Sequence, residues 1–67
     1  MTGDEAIRAL GRAGFRRVRQ RGSLVRLAND GRRVTVQVHV GETPRPELLA
    51  SILRQAGLTA ARLAALL

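Results

Sequence analysis

The sequence predicts an α+β fold, a three-stranded antiparallel sheet with helices packed on one face. Three observations carry this. Val34, Val36, Val38 and Val40 alternate with Thr35, Gln37 and His39, the pattern of a strand with one apolar and one polar face. Asn29-Asp30-Gly31 precedes that strand, and Asp-Gly accepts the positive φ angles of a tight hairpin turn. Apolar residues at helical spacing lie on both sides, at Ala6, Ile7, Leu10 and Ala13 and again at Leu48, Leu49, Ile52, Leu53 and Ala56.

Each element has its own signal. Thr2-Gly3-Asp4-Glu5 reads as a capping box, with Thr2 as N-cap and Glu5 at N3. It predicts a helix over 3–13, closed by Gly14. Residues 15–20 read as a first strand, Gly22-Ser23 as a turn and residues 24–28 as a second strand. The third strand is expected over 33–40. Pro46 fits the first turn of the next helix, with Glu47 near its positive end and Gly57 at its close. Thr59 can cap a last helix over 60–67. That helix is apolar on most sides, which suits packing against the first helix and, as a lesser possibility, a partner groove. The order α-β-β-β-α plus a terminal helix is the layout of the double-stranded-RNA-binding fold, and layout alone does not give function.

Length and composition narrow the classes. With 67 residues, one small domain spanning 1–67 is expected. There is no cysteine and one histidine, so neither a disulfide nor a cysteine-based zinc site is available, and no metal or other cofactor is expected. No segment is long enough to span a bilayer, no signal-peptide pattern is present, and the chain reads as cytoplasmic with no membrane partner. The net charge is +7, and every basic residue is arginine. Such a charge favours polyanions, nucleic acid first. Seven of the twelve arginines fall between Arg16 and Arg33, which coding bias toward arginine does not explain. Phe15 is the one aromatic residue, so stacked aromatic platforms for single strands are not expected.

Strand alternation then sorts side chains by face. If the valines of the third strand face the helices, Thr35, Gln37 and His39 face outward. Val25 and Leu27 are the natural inward pair of the second strand, which puts Leu24, Arg26 and Ala28 on the open face. Arg19, Arg21, Arg26, Arg32 and Arg33 are the expected phosphate contacts, with Arg54 a weaker one. The bland alternative, a solvated surface, is about even for any one arginine and less favoured for the cluster. Leu24 is then an apolar residue among arginines. Single exposed leucines are common and need no special account.

Three segments together resemble the HicA family of toxins from HicA–HicB toxin–antitoxin systems. They are GFRRVRQRGS over 14–23, Asp30-Gly31-Arg32-Arg33-Val34-Thr35-Val36 followed by Val38-His39, and ILRQAGLT over 52–59. The resemblance implies a small ribonuclease that cleaves messenger RNA and slows growth, with a fold similar to the double-stranded-RNA-binding domain. It also implies a HicB-type antitoxin that binds the toxin and blocks it. In the family the turn reads Gly-Ser-His, and that histidine is the catalytic residue. Here Gly22 and Ser23 match and Leu24 stands in the histidine position. The family also often has proline where this chain has Gln37.

The departure at Leu24 bears on chemistry. RNA is cleaved when its own 2′-OH attacks the adjacent phosphate, and the protein must move protons and stabilise the developing charge. Imidazole suits this because its pKa lies near neutrality. Leucine neither accepts nor donates a proton, so this form is expected to be catalytically impaired. His39 is expected to share the open face with position 24. Its bland reading, a half-exposed strand histidine without chemistry, is favoured over a supporting role in RNA binding, and rescue of catalysis ranks last. The alternative function is a non-catalytic module of the same fold that binds RNA or an antitoxin.

Overall fold

The computed structural model describes residues 1–38 and 43–67. The elements run α1 (Gly3–Arg12), β1 (Arg16–Arg21), β2 (Leu24–Asn29), β3 (Arg32–Gln37), α2 (Pro46–Ala56) and α3 (Ala60–Ala65). The strands form one antiparallel sheet in the order β1-β2-β3. The fold is therefore α+β with the α-β-β-β-α order of a double-stranded-RNA-binding-like domain, followed by a further helix.

The capping box at the start of α1 is present. The Thr2 hydroxyl accepts from the Glu5 N–H at 3.1 Å, and the Thr2 N–H donates to Glu5 Oε1 at 2.8 Å. These hydrogen bonds to Thr2 hold the Glu5 carboxyl below the ordinary glutamate pKa, and the Arg8 charge adds to the effect. At the other end, the Phe15 N–H bonds the Leu10 carbonyl at 3.0 Å and the Gly14 N–H bonds the Gly11 carbonyl at 3.1 Å. Phe15 spends its backbone donor on closing the helix, so β1 starts one residue later than its sequence pattern suggests.

Two tight turns set the sheet. Gly22 has φ 57° while Ser23 does not enter the left-handed region, which matches a two-residue turn with glycine first. Asp30 and Gly31 have φ 47° and 82°, the pair of left-handed residues that a type I′ hairpin needs. β3 ends at Gln37, although the Val38 N–H still bonds the Ser23 carbonyl at 2.7 Å. The expected continuation through His39 and Val40 lies outside the described residues.

The core lies between the sheet and the helices. Val25, Leu27, Val34 and Val36 from the sheet meet Ala9, Leu10, Ile52, Ala56 and Leu63 from the helices, with Phe15 closing one end. Leu63 is the buried anchor of α3. The Thr59 hydroxyl caps that helix by accepting from the Arg62 N–H at 3.1 Å. Arg12 of α1 donates to the Leu66 carbonyl at 2.8 Å, placing a cation at the negative end of α3. The short α3 thus packs on α1, and its helical turns stop at Ala65 rather than continuing to Leu67.

β1 departs from simple alternation. All six of its residues are exposed, because the helix layer does not cover this edge strand. The register slips between Arg17 and Arg19, leaving Val18 as the extra, bulged residue, 53% exposed. Arg17 opposes Leu27 and donates to Gln20 Oε1 at 3.0 Å, so a polar pair flanks the core at this edge.

α2 is stitched to β3. Gln55 Oε1 accepts from the Thr35 backbone N–H at 3.1 Å, and Gln55 Nε2 donates to Ser51 Oγ at 2.9 Å. Arg32 Nη1 reaches the Gln55 carbonyl at 3.4 Å. Gly57 closes α2 with φ 70°, and the Leu58 N–H bonds the Leu53 carbonyl at 3.0 Å. A Cβ on Gly57 would lie 2.7 Å from the Arg32 guanidinium. That side chain can swing aside at the loss of its bond to Gln55, but the backbone strain would remain. Gly57→Ala is expected to destabilise the fold by about 1–2 kcal/mol. Gly11→Ala, in α1 with nothing within 4 Å of the new Cβ, is expected to stabilise it by roughly 0.5–1 kcal/mol. Urea unfolding midpoints of the two variants check both signs.

Candidate nucleic-acid interface

The face of the sheet away from the helices is built from three cross-strand rows. Arg16, Ala28 and Arg33 form the first, Arg19, Arg26 and Thr35 the second, and Arg21, Leu24 and Gln37 the third. Between them lie the rows Arg17–Leu27–Val34 and Gln20–Val25–Val36, whose β2 and β3 members are buried. Alternation therefore sends Leu24, Arg26, Thr35 and Gln37 outward, as expected from the sequence.

The second row, with Arg21 and Leu24 of the third, borders an open pocket of about 260 Å³. Arg19, Arg21, Leu24, Arg26 and Thr35 line it. Leu24 is 47% exposed, and both turn residues beside it, Gly22 and Ser23, are exposed. No carboxylate is among the described lining residues. Three arginines thus line one concavity together with an apolar side chain.

The other arginines named from sequence are placed differently. Arg33 is on the same face, one row beyond the pocket and level with Ala28. Arg32 is opposite Asn29, and its side chain turns to the C-terminal end of α2. Arg54 is exposed on α2, in the helix layer. His39 lies outside the described residues. Arg16 was not singled out from sequence, yet it pairs with Ala28 on the open face. Counting back from the Gly22-Ser23 turn puts Arg17 level with Ala28; the bulge at Val18 moves Arg16 there instead.

Residues 3–58 match the model of a protein family described as the HicA toxin of bacterial toxin–antitoxin systems. The chain belongs to the HicA toxin family. As a HicA toxin it has an antitoxin for a partner. The match takes in α1, the whole sheet and α2, and stops before α3. No curated protein matches the sequence. Among the described residues, no helix is long and apolar enough to cross a membrane.

The pocket of this HicA chain carries an electrostatic cost. Arg19 and Arg26 are directly opposed across β1 and β2, and like charges in that position repel. Arg26→Thr removes one of them and supplies a good strand former. It is expected to raise stability by about 0.2–1 kcal/mol at low ionic strength. The gain should shrink at ~1 M salt, where the screening length falls to about 3 Å. Urea titrations at both ionic strengths measure the difference.

Proposed function

We propose that this chain, residues 1–67 acting as a single domain, is an RNA-directed toxin of the mRNA-cleaving kind. Its proton-transfer position is occupied by Leu24, so it holds RNA but cleaves it poorly. The observation that carries this reading is the pocket around Leu24, walled by Arg19, Arg21 and Arg26. The antitoxin it meets is of HicB type, and it acts in the cytoplasm, where messenger RNA is.

The chemistry follows from the groups at the pocket. The RNA 2′-oxygen attacks the neighbouring phosphorus, the new O2′–P bond forms and the P–O5′ bond breaks. The 2′-OH proton must leave, and the departing 5′-oxygen must gain one. Guanidiniums stabilise the negative charge that builds on the phosphorane oxygens. Leu24 offers no site for either proton. Loss of such an acid–base group slows a reaction by about 10²–10⁴. Gly22 and Ser23 hold position 24 at the head of β2, and Arg33 extends the cationic face beyond the pocket.

Restoring Leu24→His tests the reading. Induction of the revertant is expected to degrade cellular RNA and arrest growth, with cleavage about 10²–10⁴ faster than in the Leu24 form. A revertant that neither cleaves RNA nor slows growth would sink the interferase assignment. Robust cleavage by the Leu24 form itself would move proton transfer to His39 or elsewhere.

The binding component has its own measurement. Three arginine–phosphate contacts on a single strand give a slope of about −2 in log affinity against log salt. Arg26→Gln should reduce that slope by about 0.7, whereas Arg32→Gln should leave it nearly unchanged because Arg32 is engaged on α2. Equal effects of the two substitutions would spread the phosphate contacts beyond the pocket.

A further inference from the structure

The unexplained feature of the pocket is its apolar member. A surface that only follows a phosphate backbone is best served by cations and hydrogen-bond donors. Leu24 sits between Arg21 and Gln37 in one row and beside the Arg19–Arg26–Thr35 row. Nothing in the core needs it, because it points away from Val25 and Leu27 and remains 47% exposed. A ligand that carries an anion and an apolar face side by side would satisfy both kinds of lining at once. A nucleotide has that chemistry, with a phosphate at one end and a flat base at the other.

We propose that the pocket is a subsite for one unpaired nucleotide of an RNA strand. The base lies over Leu24, its flanking phosphates sit on Arg19, Arg21 and Arg26, and the exposed amide of Gln37 meets the base edge. This rests on the RNA reading above and adds two things to it, the strand state of the ligand and the residue that reads the base.

Duplex RNA does not fit this lining. In a duplex both faces of each base are stacked and its Watson–Crick edge is paired, so no face is left for Leu24. Recognition of duplex RNA also spreads contacts over about 16 base pairs and two minor grooves. Here Arg19, Arg21 and Arg26 line a single concavity of about 260 Å³. Splayed single-stranded bases can lie against arginine planes as well as aromatic rings. The chain has one Phe and no Tyr or Trp, and Phe15 is buried in the core, so among the described residues arginine and Leu24 are what the open face offers a base. Gln37 presents a donor beside an acceptor, the arrangement that pairs with a base edge.

Fluorescence anisotropy with labelled RNA octamers tests the subsite, using the Leu24 chain. A single-stranded octamer is expected to bind about tenfold more tightly than the same octamer in a duplex. Leu24→Ser should weaken the single strand by roughly three- to tenfold and leave duplex binding unchanged. Gln37→Leu should narrow the affinity differences among octamers of A, C, G and U. Unfolding midpoints confirm that these two surface variants fold. Equal affinity for single strand and duplex, or no effect of Leu24→Ser, overturns the subsite. So does inorganic polyphosphate competing as well as the octamer at equal phosphate. Cleavage by Leu24→His together with unchanged binding by Leu24→Ser would keep the RNA reading and remove the subsite. The opposite pair of results would remove cleavage and keep the subsite.

Discussion

Val25, Leu27, Val34 and Val36 fill the gap between the sheet and the helices, and the placement of every other strand side chain depends on them. Burying a valine or leucine side chain is worth about 1.5–3 kcal/mol. A slip of β2 by one residue would turn Val25 and Leu27 to solvent and carry Arg26 into the core. The two tight turns favour the same register. The glycine-first turn at Gly22-Ser23 pairs Arg21 with Leu24, and the type I′ turn at Asp30-Gly31 pairs Asn29 with Arg32. Packing and turn geometry thus agree, and their agreement fixes the composition of the open face.

That face is costly by itself. Arg19 and Arg26 oppose each other, and Arg21 lines the same pocket. The repulsion is tolerable because the opposite side of β2 and β3 supplies the burial that holds the sheet. Stability and charge sit on two faces of the same strands, one residue apart in sequence. A polyanion on the open face would relieve the repulsion and so stabilise the folded chain by mass action. Binding of an anion there would therefore be linked to fold stability through Arg19 and Arg26.

Where the pattern of apolar residues was strong, the sequence was readable. The capping box at Thr2, the alternating valines, the Asp-Gly turn and the apolar stripe of α2 each led to the element observed. The four inward side chains also followed from alternation, and with them the outward positions of Leu24, Arg26, Thr35 and Gln37. β1 was harder because it is an edge strand that no helix covers. RRVRQR carries no apolar alternation from which to read its faces, and nothing in it marks Val18 as a bulge. The bulge decides that Arg16, not Arg17, is level with Ala28. Arg32 and Arg33 are adjacent in sequence and point to opposite faces, so only the register separates a side chain bound to α2 from one on the open surface.

The segment ILRQAGLT acts through architecture. Gln55 accepts the outward N–H of Thr35 and so satisfies part of the free edge of β3, while Arg32 spans from β3 to the end of α2. Thr35 is also a wall of the pocket, so α2 steadies the open face from the far side of the sheet. None of these contacts involves position 24. Its side chain takes no part in the core, and a residue of another type there would leave the four buried side chains and both turns as they are. The core and the turns therefore do not require a leucine at position 24. Family membership accounts for the scaffold around that position, and the leucine there stands against the arginine face rather than the core.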